Sequence, residues 1–397
     1  MRLEELELVD FRNFAHAKLR FGPRFTVLHG HNGAGKTNVL EALYMLSTLR
    51  SFRGADLGSM LRRDTVGARM ELLAYDEVLA VPTRLSVRIE KGARSTRRSA
   101  RIDDKLVRAA SDFYGQFSAV LFTPEDLAVL RGSPQGRRQF LDRVLFARER
   151  AHITDIQAYE KLLRSRNRVL KDAQPRVPDP RLLESYEVGL AEYGARIWSR
   201  REELVALLRE PFARAFAQIH GARGRVGEAH PPNPEPAPAC GLEYSARWLE
   251  GAKVPSEHAG RHAALARALV DGRSLDAARG STRVGPHRDE LEFRLDGELA
   301  ANFASQGQTR AMVLAFKIAE LREMRSLRGR APLLLLDDVS SELDPGRNGQ
   351  LFETLAAEVG QCVLTTTAPE YIRLGAEVER RDILVAGGEI LAHDDPA

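Results

Sequence analysis

Only two cysteines, Cys240 and Cys362, occur in 397 residues, and they are far apart. Neither a disulfide framework nor a thiolate metal cluster can be assembled from them. Long apolar runs are also missing. The longest purely aliphatic one, Leu333 to Leu336, falls far short of the roughly 20 residues that a membrane span requires. The opening residues, Met1-Arg2-Leu3-Glu4-Glu5, are acidic where a secretory leader would be basic and then apolar, so a cytoplasmic protein with no membrane partner is expected. No internal repeat and no sustained heptad is present, which excludes a solenoid and a long coiled-coil arm. Lysine is scarce, 8 of the 59 basic residues, but so uniform an arginine bias identifies no partner by itself. The net charge of +4 permits an acidic partner such as DNA without demanding one. What remains, 43% hydrophobic and 29% charged, supplies ample core, and the length exceeds one ordinary core, so two lobes are expected.

The most informative stretch is Gly30-His31-Asn32-Gly33-Ala34-Gly35-Lys36-Thr37, a complete phosphate-binding loop. It follows the apolar run Phe25 to Leu28 and opens onto a helical pattern from Asn38 to Leu46. Glycines at 30, 33 and 35 let backbone N–H groups turn inward around an anion, and the start of the next helix adds its own unpaired N–H groups. Lys36 is expected on the β- and γ-phosphates of ATP and Thr37 on Mg2+.

A second anchor lies 301 residues beyond Lys36, in Leu333-Leu334-Leu335-Leu336-Asp337-Asp338. An apolar parallel strand ending in a carboxylate delivers it to the sheet edge, where Asp337 would hold magnesium and Asp338 would position or activate water. So large a separation splits the nucleotide fold in sequence. The expected head is an α/β P-loop ATPase domain built from 1–123 and 275–397, and 124–274 form a mainly helical arm. Ser305-Gln306-Gly307-Gln308 begins a helix 32 residues before Asp337, and Ser341-Glu342-Leu343-Asp344 follows it. In that order the motifs resemble an ABC-type ATPase head. In that class Ser305, Gly307 and Gln308 would close on the γ-phosphate held by a second protomer, giving an ATP-dependent homodimer.

Leu6 to Phe14 resembles the opening of the structural maintenance of chromosomes ATPases and their recombination relatives. Phe122 to Leu127, Arg137 to Asp142, Gly285 to Asp289 and the Ser305 motif resemble the RecF family specifically, nearly end to end, with the poorest match at the prolines of 231–238. The resemblance implies ATP-driven binding to double-stranded DNA and gapped junctions, with RecO and RecR as partners in loading RecA. It carries Arg12 and Asn13 over as nucleotide contacts and Gln116 as the glutamine that senses magnesium. Two departures from transporter heads stand out: Asp338 replaces a glutamate, which predicts slow hydrolysis, and Thr365-Thr366-Thr367 replace a switch histidine. The competing readings are a transporter's nucleotide-binding subunit and a DNA scaffold that binds ATP without turnover.

Basic clusters at Arg94, Arg97, Arg98 and Arg101, at Arg137, Arg138 and Arg143, and at Arg164, Arg166, Arg168 and Lys171 suit phosphate contacts or solvated faces. Lys91 to Arg101 reads as a basic turn and Leu6 to Leu28 as one small sheet. The segment from Leu127 to Leu208 reads as helical, broken at 174–180, and Cys240 is placed in the proline loop. His287 and Arg288 read as a sensor pair or as a turn closed by an Arg288–Asp289 ion pair.

Overall fold

The computed structural model describes the whole chain except residues 77–79, 94, 115, 118, 128, 175, 222–237, 250–253, 330, 339–357, 373, 376 and 393–397. In chain order, β1 (Arg2–Phe11), β2 (Phe14–Arg20) and β3 (Phe25–His29) precede helix α1 (Lys36–Thr48). Then come β4 (Gly67–Asp76), β5 (Val81–Lys91), β6 (Thr96–Ile102), β7 (Lys105–Leu106), α2 (Ala110–Phe113), β8 (Ala119–Phe122) and α3 (Pro124–Leu127). Helices α4 (Pro134–Arg148), α5 (Arg150–Ala173) and α6 (Pro180–Gly221) lead to β9 (Cys240–Ser245), α7 (His258–Asp271) and α8 (Arg273–Arg279). Strands β10 (Glu290–Leu295) and β11 (Glu298–Leu299) follow, with α9 (Ala300–Phe303) and α10 (Gln306–Arg328). The chain ends with β12 (Leu333–Asp337), β13 (Gln361–Thr366), β14 (Arg380–Ala386) and β15 (Glu389–Ala392). Two compact units result: Met1–Asp126 with Glu320–Ala397, and Leu127–Ala319. The segment 275–397 expected in the head is thus divided inside α10.

The first unit holds two six-stranded sheets. In the order β2-β1-β4-β5-β6-β7 the strands are antiparallel and alternate, with Leu6, Leu8, Met70, Leu72, Val87 and Ile89 buried and charged residues outward. In the order β15-β14-β3-β13-β12-β8 the central strands are parallel and buried on both faces, which explains their unbroken apolar runs. Leu6 to Leu28 therefore does not form one sheet: alternating β1 and β2 join the antiparallel layer, and non-alternating β3 joins the parallel one. Likewise Thr96–Ile102 is strand β6, and only residues 92–95 connect it to β5; its Arg-Arg-Ser-Ala-Arg text looks like a turn because the apolar half of the alternation is a single alanine. Buried Gln361 ties the two sheets together. It accepts from the N–H of Leu3 (2.8 Å) and donates to the carbonyls of Leu3 (3.0 Å) and Gly22 (2.8 Å).

The second unit packs α4 to α7 around Ile156, Tyr159, Leu190, Ile197, Leu265 and Leu269, and α8 sets Ala277 against Leu170 and Leu183. It is not wholly helical, for β9, β10 and β11 form a three-stranded antiparallel sheet. Cys240 is the first residue of β9, and burial pushes its thiol up to about 12. Phe140, Phe212, Phe293 and Phe316 interlock edge-on and tilted in the core.

Candidate nucleotide site

Local geometry makes the loop between β3 and α1. Gly30 has φ 141°, and a Cβ there would lie 2.2 Å from the Val385 carbonyl oxygen. Gly35 has φ 117°, and its Cβ would strike the Asn13 side chain at 2.6 Å. Neither position admits a side chain. Gly35 is the N-cap of α1, and no side chain caps the helix, so its N-terminal N–H groups suit an anion. His31, Asn32 and Gly33 are exposed around this end, while Ala34 is buried.

Asn13 clasps the loop from the β1–β2 turn. Its Nδ2 donates to the Ala34 carbonyl (2.8 Å), and its Oδ1 accepts from Asn38 Nδ2 (2.8 Å). Arg12 serves a different neighbour. Its guanidinium makes a fork to fully buried Glu41 of α1, at 2.8 and 2.7 Å, and bonds the Ser59 carbonyl at 2.8 Å. Ser51 also donates to Glu41 at 2.5 Å, and Arg53 donates to Asn38 Oδ1 at 3.0 Å. The sequence reading missed Glu41, Ser51 and Arg53. Their only signal was an acid in the middle of an otherwise apolar helix, with Ser51-Phe52-Arg53 just after its end.

Lys36 Nζ donates to the carbonyls of Gly30 (2.7 Å) and His31 (3.0 Å), lying over its own loop. Burial pulls its pKa below the ordinary lysine value, and Asp338 and Asp337 oppose that shift. Across the sheet, Thr37 Oγ1 donates to Asp337 Oδ1 at 2.7 Å, so residues three hundred positions apart meet where both motifs require. Thr365 Oγ1 donates to the same oxygen (2.8 Å) and accepts the N–H of Asp338 (2.9 Å). Burial raises the Asp337 carboxyl above its usual range, against the pull of these two hydroxyls. Asp338 follows with φ 46°, in the left-handed region.

Magnesium requires hard oxygen donors and keeps several waters, so one carboxylate and one hydroxyl suffice beside phosphate. Thr37 and Asp337 fit that demand. Among the described residues no cluster of three or more His, Cys, Asp or Glu forms another metal site. Gln116 is not brought to this pair; its Nε2 donates to the Asp112 carbonyl at 3.1 Å.

Ser305 caps α10 in the second unit. Its Oγ accepts from Gln308 N (3.1 Å), and its own N–H donates to Gln308 Oε1 (2.8 Å), a reciprocal capping box with Ser305 exposed and Gly307 partly exposed. The Ser341 to Asp344 motif lies outside the described residues. His287 is held in its turn at both ring nitrogens: Nε2 bonds the Thr282 carbonyl (3.0 Å), and Nδ1 faces the Tyr159 hydroxyl (2.7 Å). Asp289 takes Trp248 Nε1 (2.6 Å) and the Tyr244 hydroxyl in place of the expected ion pair.

The RecF/RecN/SMC N terminal domain family matches residues 2–380. The chain is 38% identical to the DNA replication and repair protein RecF of Myxococcus xanthus (strain DK1622) over 395 residues, which cover 100% of this chain and 98% of that one. It is 40% identical to RecF of Anaeromyxobacter sp. (strain Fw109-5) over 391 residues, 98% of this chain and 99% of the relative. Among solved structures, the recombination mediator protein RecF with ATP, in the RecFOR pathway, superposes with a TM-score of 0.82 at 26% identity, covering 99% of this chain and 98% of that one. An Smc head bound to the C-winged helix domain of ScpA shares the fold, at a TM-score of 0.52 and 14% identity, over 99% of this chain and 98% of that one. Likeness running almost end to end, on an ABC-type ATPase fold, shows that the chain belongs to the RecF family of DNA replication and repair proteins.

Proposed function

We propose that this chain is an ATP-dependent DNA-binding protein of recombinational repair and replication-fork maintenance, with ATP binding as its switch and slow, DNA-stimulated hydrolysis as its reset. The observation that carries this reading is the 2.7 Å bond between Thr37 and Asp337, which assembles a nucleotide site from opposite ends of the chain. The loop from Gly30 to Thr37 binds the phosphates, Lys36 leaves its own carbonyls for the β- and γ-oxygens, and Asn13 keeps the loop in shape. Arg12 acts through Glu41, as a brace behind α1. Magnesium held by Thr37 and Asp337 supplies charge neutralisation on the phosphates. Asp338 orients or deprotonates the attacking water.

The first unit, Met1–Asp126 with Glu320–Ala397, acts as the head, and the second, Leu127–Ala319, as the arm that carries the Ser305 turn. The capped, exposed end of α10, with Ser305, Gly307 and Gln308, closes on the nucleotide of a second copy. The relatives' role in DNA repair, and the RecFOR pathway to which the solved RecF structures belong, support duplex and gapped DNA as the substrate and RecO and RecR as partners in loading RecA. Sizing the protein in solution with ATP, with ADP, and with ATP after Ser305→Arg tests the dimer. A mass that doubles with ATP alone, and only when Ser305 is intact, is expected; an ATP-independent mass unaffected by the substitution overturns it.

A further inference from the structure

The whole chain carries a net charge of +4, yet residues 84–108 alone hold nine basic side chains against three acidic ones. The excess falls on β5, β6 and β7, at one side of the antiparallel sheet. Leu85, Val87, Ile89 and Ala100 fill the buried face. On the other face both strands repeat arginine, serine, arginine at alternate positions: Arg84, Ser86, Arg88 and Arg97, Ser99, Arg101. The register sets Ser86 opposite Arg101, Arg88 opposite Ser99 and Glu90 opposite Arg97, so no two of these cations stand directly opposite one another. Successive outward residues of a strand stand about 6.7 Å apart.

Neutralisation fades toward this side. Arg69 and Arg84 both reach Glu71, and Arg69 also reaches Glu7 at 3.2 Å. Arg88 has only Glu90, at 3.7 Å with both side chains more than half exposed, a weak pair in water. Arg101 bonds the Asp104 carbonyl (3.0 Å), and among the described residues neither it nor Arg97 has an ion-pair partner.

Of the other basic clusters, that at Arg137, Arg138 and Arg143 is consumed internally, and that on α5 has one arginine buried and two in exposed pairs no stronger than Arg88's, which makes α5 the control face. Arg137 forks onto buried Glu290, and Arg138 bonds the Asp289 carbonyl. Arg143 lies over the Phe140 ring. Arg166 is fully buried between Glu187 and Asp276. Arg164 and Arg168 each meet an acid one turn away, at 3.7 and 3.6 Å. Arg98 points inward to the Leu49 carbonyl at the end of α1.

We infer that the outward face of β5 and β6, centred on Arg88, Arg97 and Arg101 with Ser86 and Ser99 between them, is the surface that tracks the phosphate backbone of duplex DNA. Guanidinium forks and hydroxyl donors are the groups that bind phosphate oxygens, and no aromatic ring lies among them to stack an unpaired base. The inference rests on the DNA binding proposed above and assigns it a surface. The test measures binding of a mixed-sequence 30-base-pair duplex by fluorescence anisotropy across a salt series. It compares the parent, Arg88→Gln/Arg97→Gln/Arg101→Gln, and Arg164→Gln/Arg168→Gln/Lys171→Gln as a control on α5. Nucleotide affinity of each variant checks that the head is folded. The first triple variant is expected to lose on the order of 100-fold in affinity and about 2.7 in the slope of log K against log salt, with ATP binding and the α5 variant unchanged. A parent that binds no duplex sinks the DNA reading itself; a parent that binds, with an unchanged slope in the β5–β6 variant, overturns the surface.

Discussion

The hydroxyl of Thr365 donates to Asp337 and receives the N–H of Asp338, so one buried oxygen fixes both acidic residues at once. Asp338 needs that help. Its backbone is left-handed, a conformation that costs a non-glycine residue about 1 kcal/mol or more. Thr365→Val keeps the shape and removes both bonds, a change worth about 2 kcal/mol, or roughly 30-fold in rate if it falls on the transition state. Expected are slower ATP hydrolysis, a higher magnesium concentration for half-maximal nucleotide affinity, and unchanged nucleotide binding in chelator. Thr365→Ser should restore most of the loss. Titration calorimetry with and without magnesium, beside steady-state hydrolysis, separates this positioning role from a loss of folding, which would weaken binding in chelator too. The sequence presents this residue only as part of a threonine run where transporter heads carry histidine. Its role is invisible there because it depends on the parallel pairing of β12 with β13.

Among elements, the Gln361 amide is one direct tie between the two sheets. Replacing Gln361 by leucine would leave the buried N–H and C=O of Leu3 and the carbonyl of Gly22 without their partner, at a cost of about 3 kcal/mol. Urea denaturation should show a lower midpoint, and an unchanged midpoint would mean that other groups join the sheets. The elements themselves were largely legible. Beta-strand β12 is read from four leucines ending in aspartate, and the break between α5 and α6 from the prolines at 178 and 180. Illegible were pairings that join distant text. Beta-strand β9 lies beside β10 in space but 45 residues before it in sequence, and β6 hides its alternation under arginine. Of the nucleotide site, loop and aspartate were plain because their chemistry is local. The fork from Arg12 to Glu41 was not legible, because that partner is identified only by the fold.

At the scale of the whole molecule, acid should weaken the fold through a buried histidine. His287, in the second unit, is held by a carbonyl on one ring nitrogen and a tyrosine hydroxyl on the other, and burial pushes it down to about 4. A histidine depressed in the folded state favours the neutral form, so its contribution is complete above the unfolded value near 6.5 and is lost as pH falls toward 4. His152, also buried there, shifts in the same direction. Asp289, pushed up to about 6 by burial, acts in the opposite sense, so the parent curve alone does not isolate either group. The difference between parent and His287→Gln does. The destabilisation caused by that substitution should be greatest at pH 7.5 and shrink by about 2 kcal/mol at pH 4.5, as read by calorimetric unfolding. A pH-independent difference would mean that the ring titrates normally.

The meeting of Thr37 with Asp337 also sets a timetable for biosynthesis. Thr37 leaves the ribosome three hundred residues ahead of the carboxylate it is to meet, and β13, which carries Thr365, follows later still. Every shorter product, whether a stalled ribosome's or a frameshift's, presents lysine and threonine to nucleotide with no metal-binding partner. A copy that stops short of β12 therefore keeps the loop and loses the carboxylate that Thr37 holds in the folded chain.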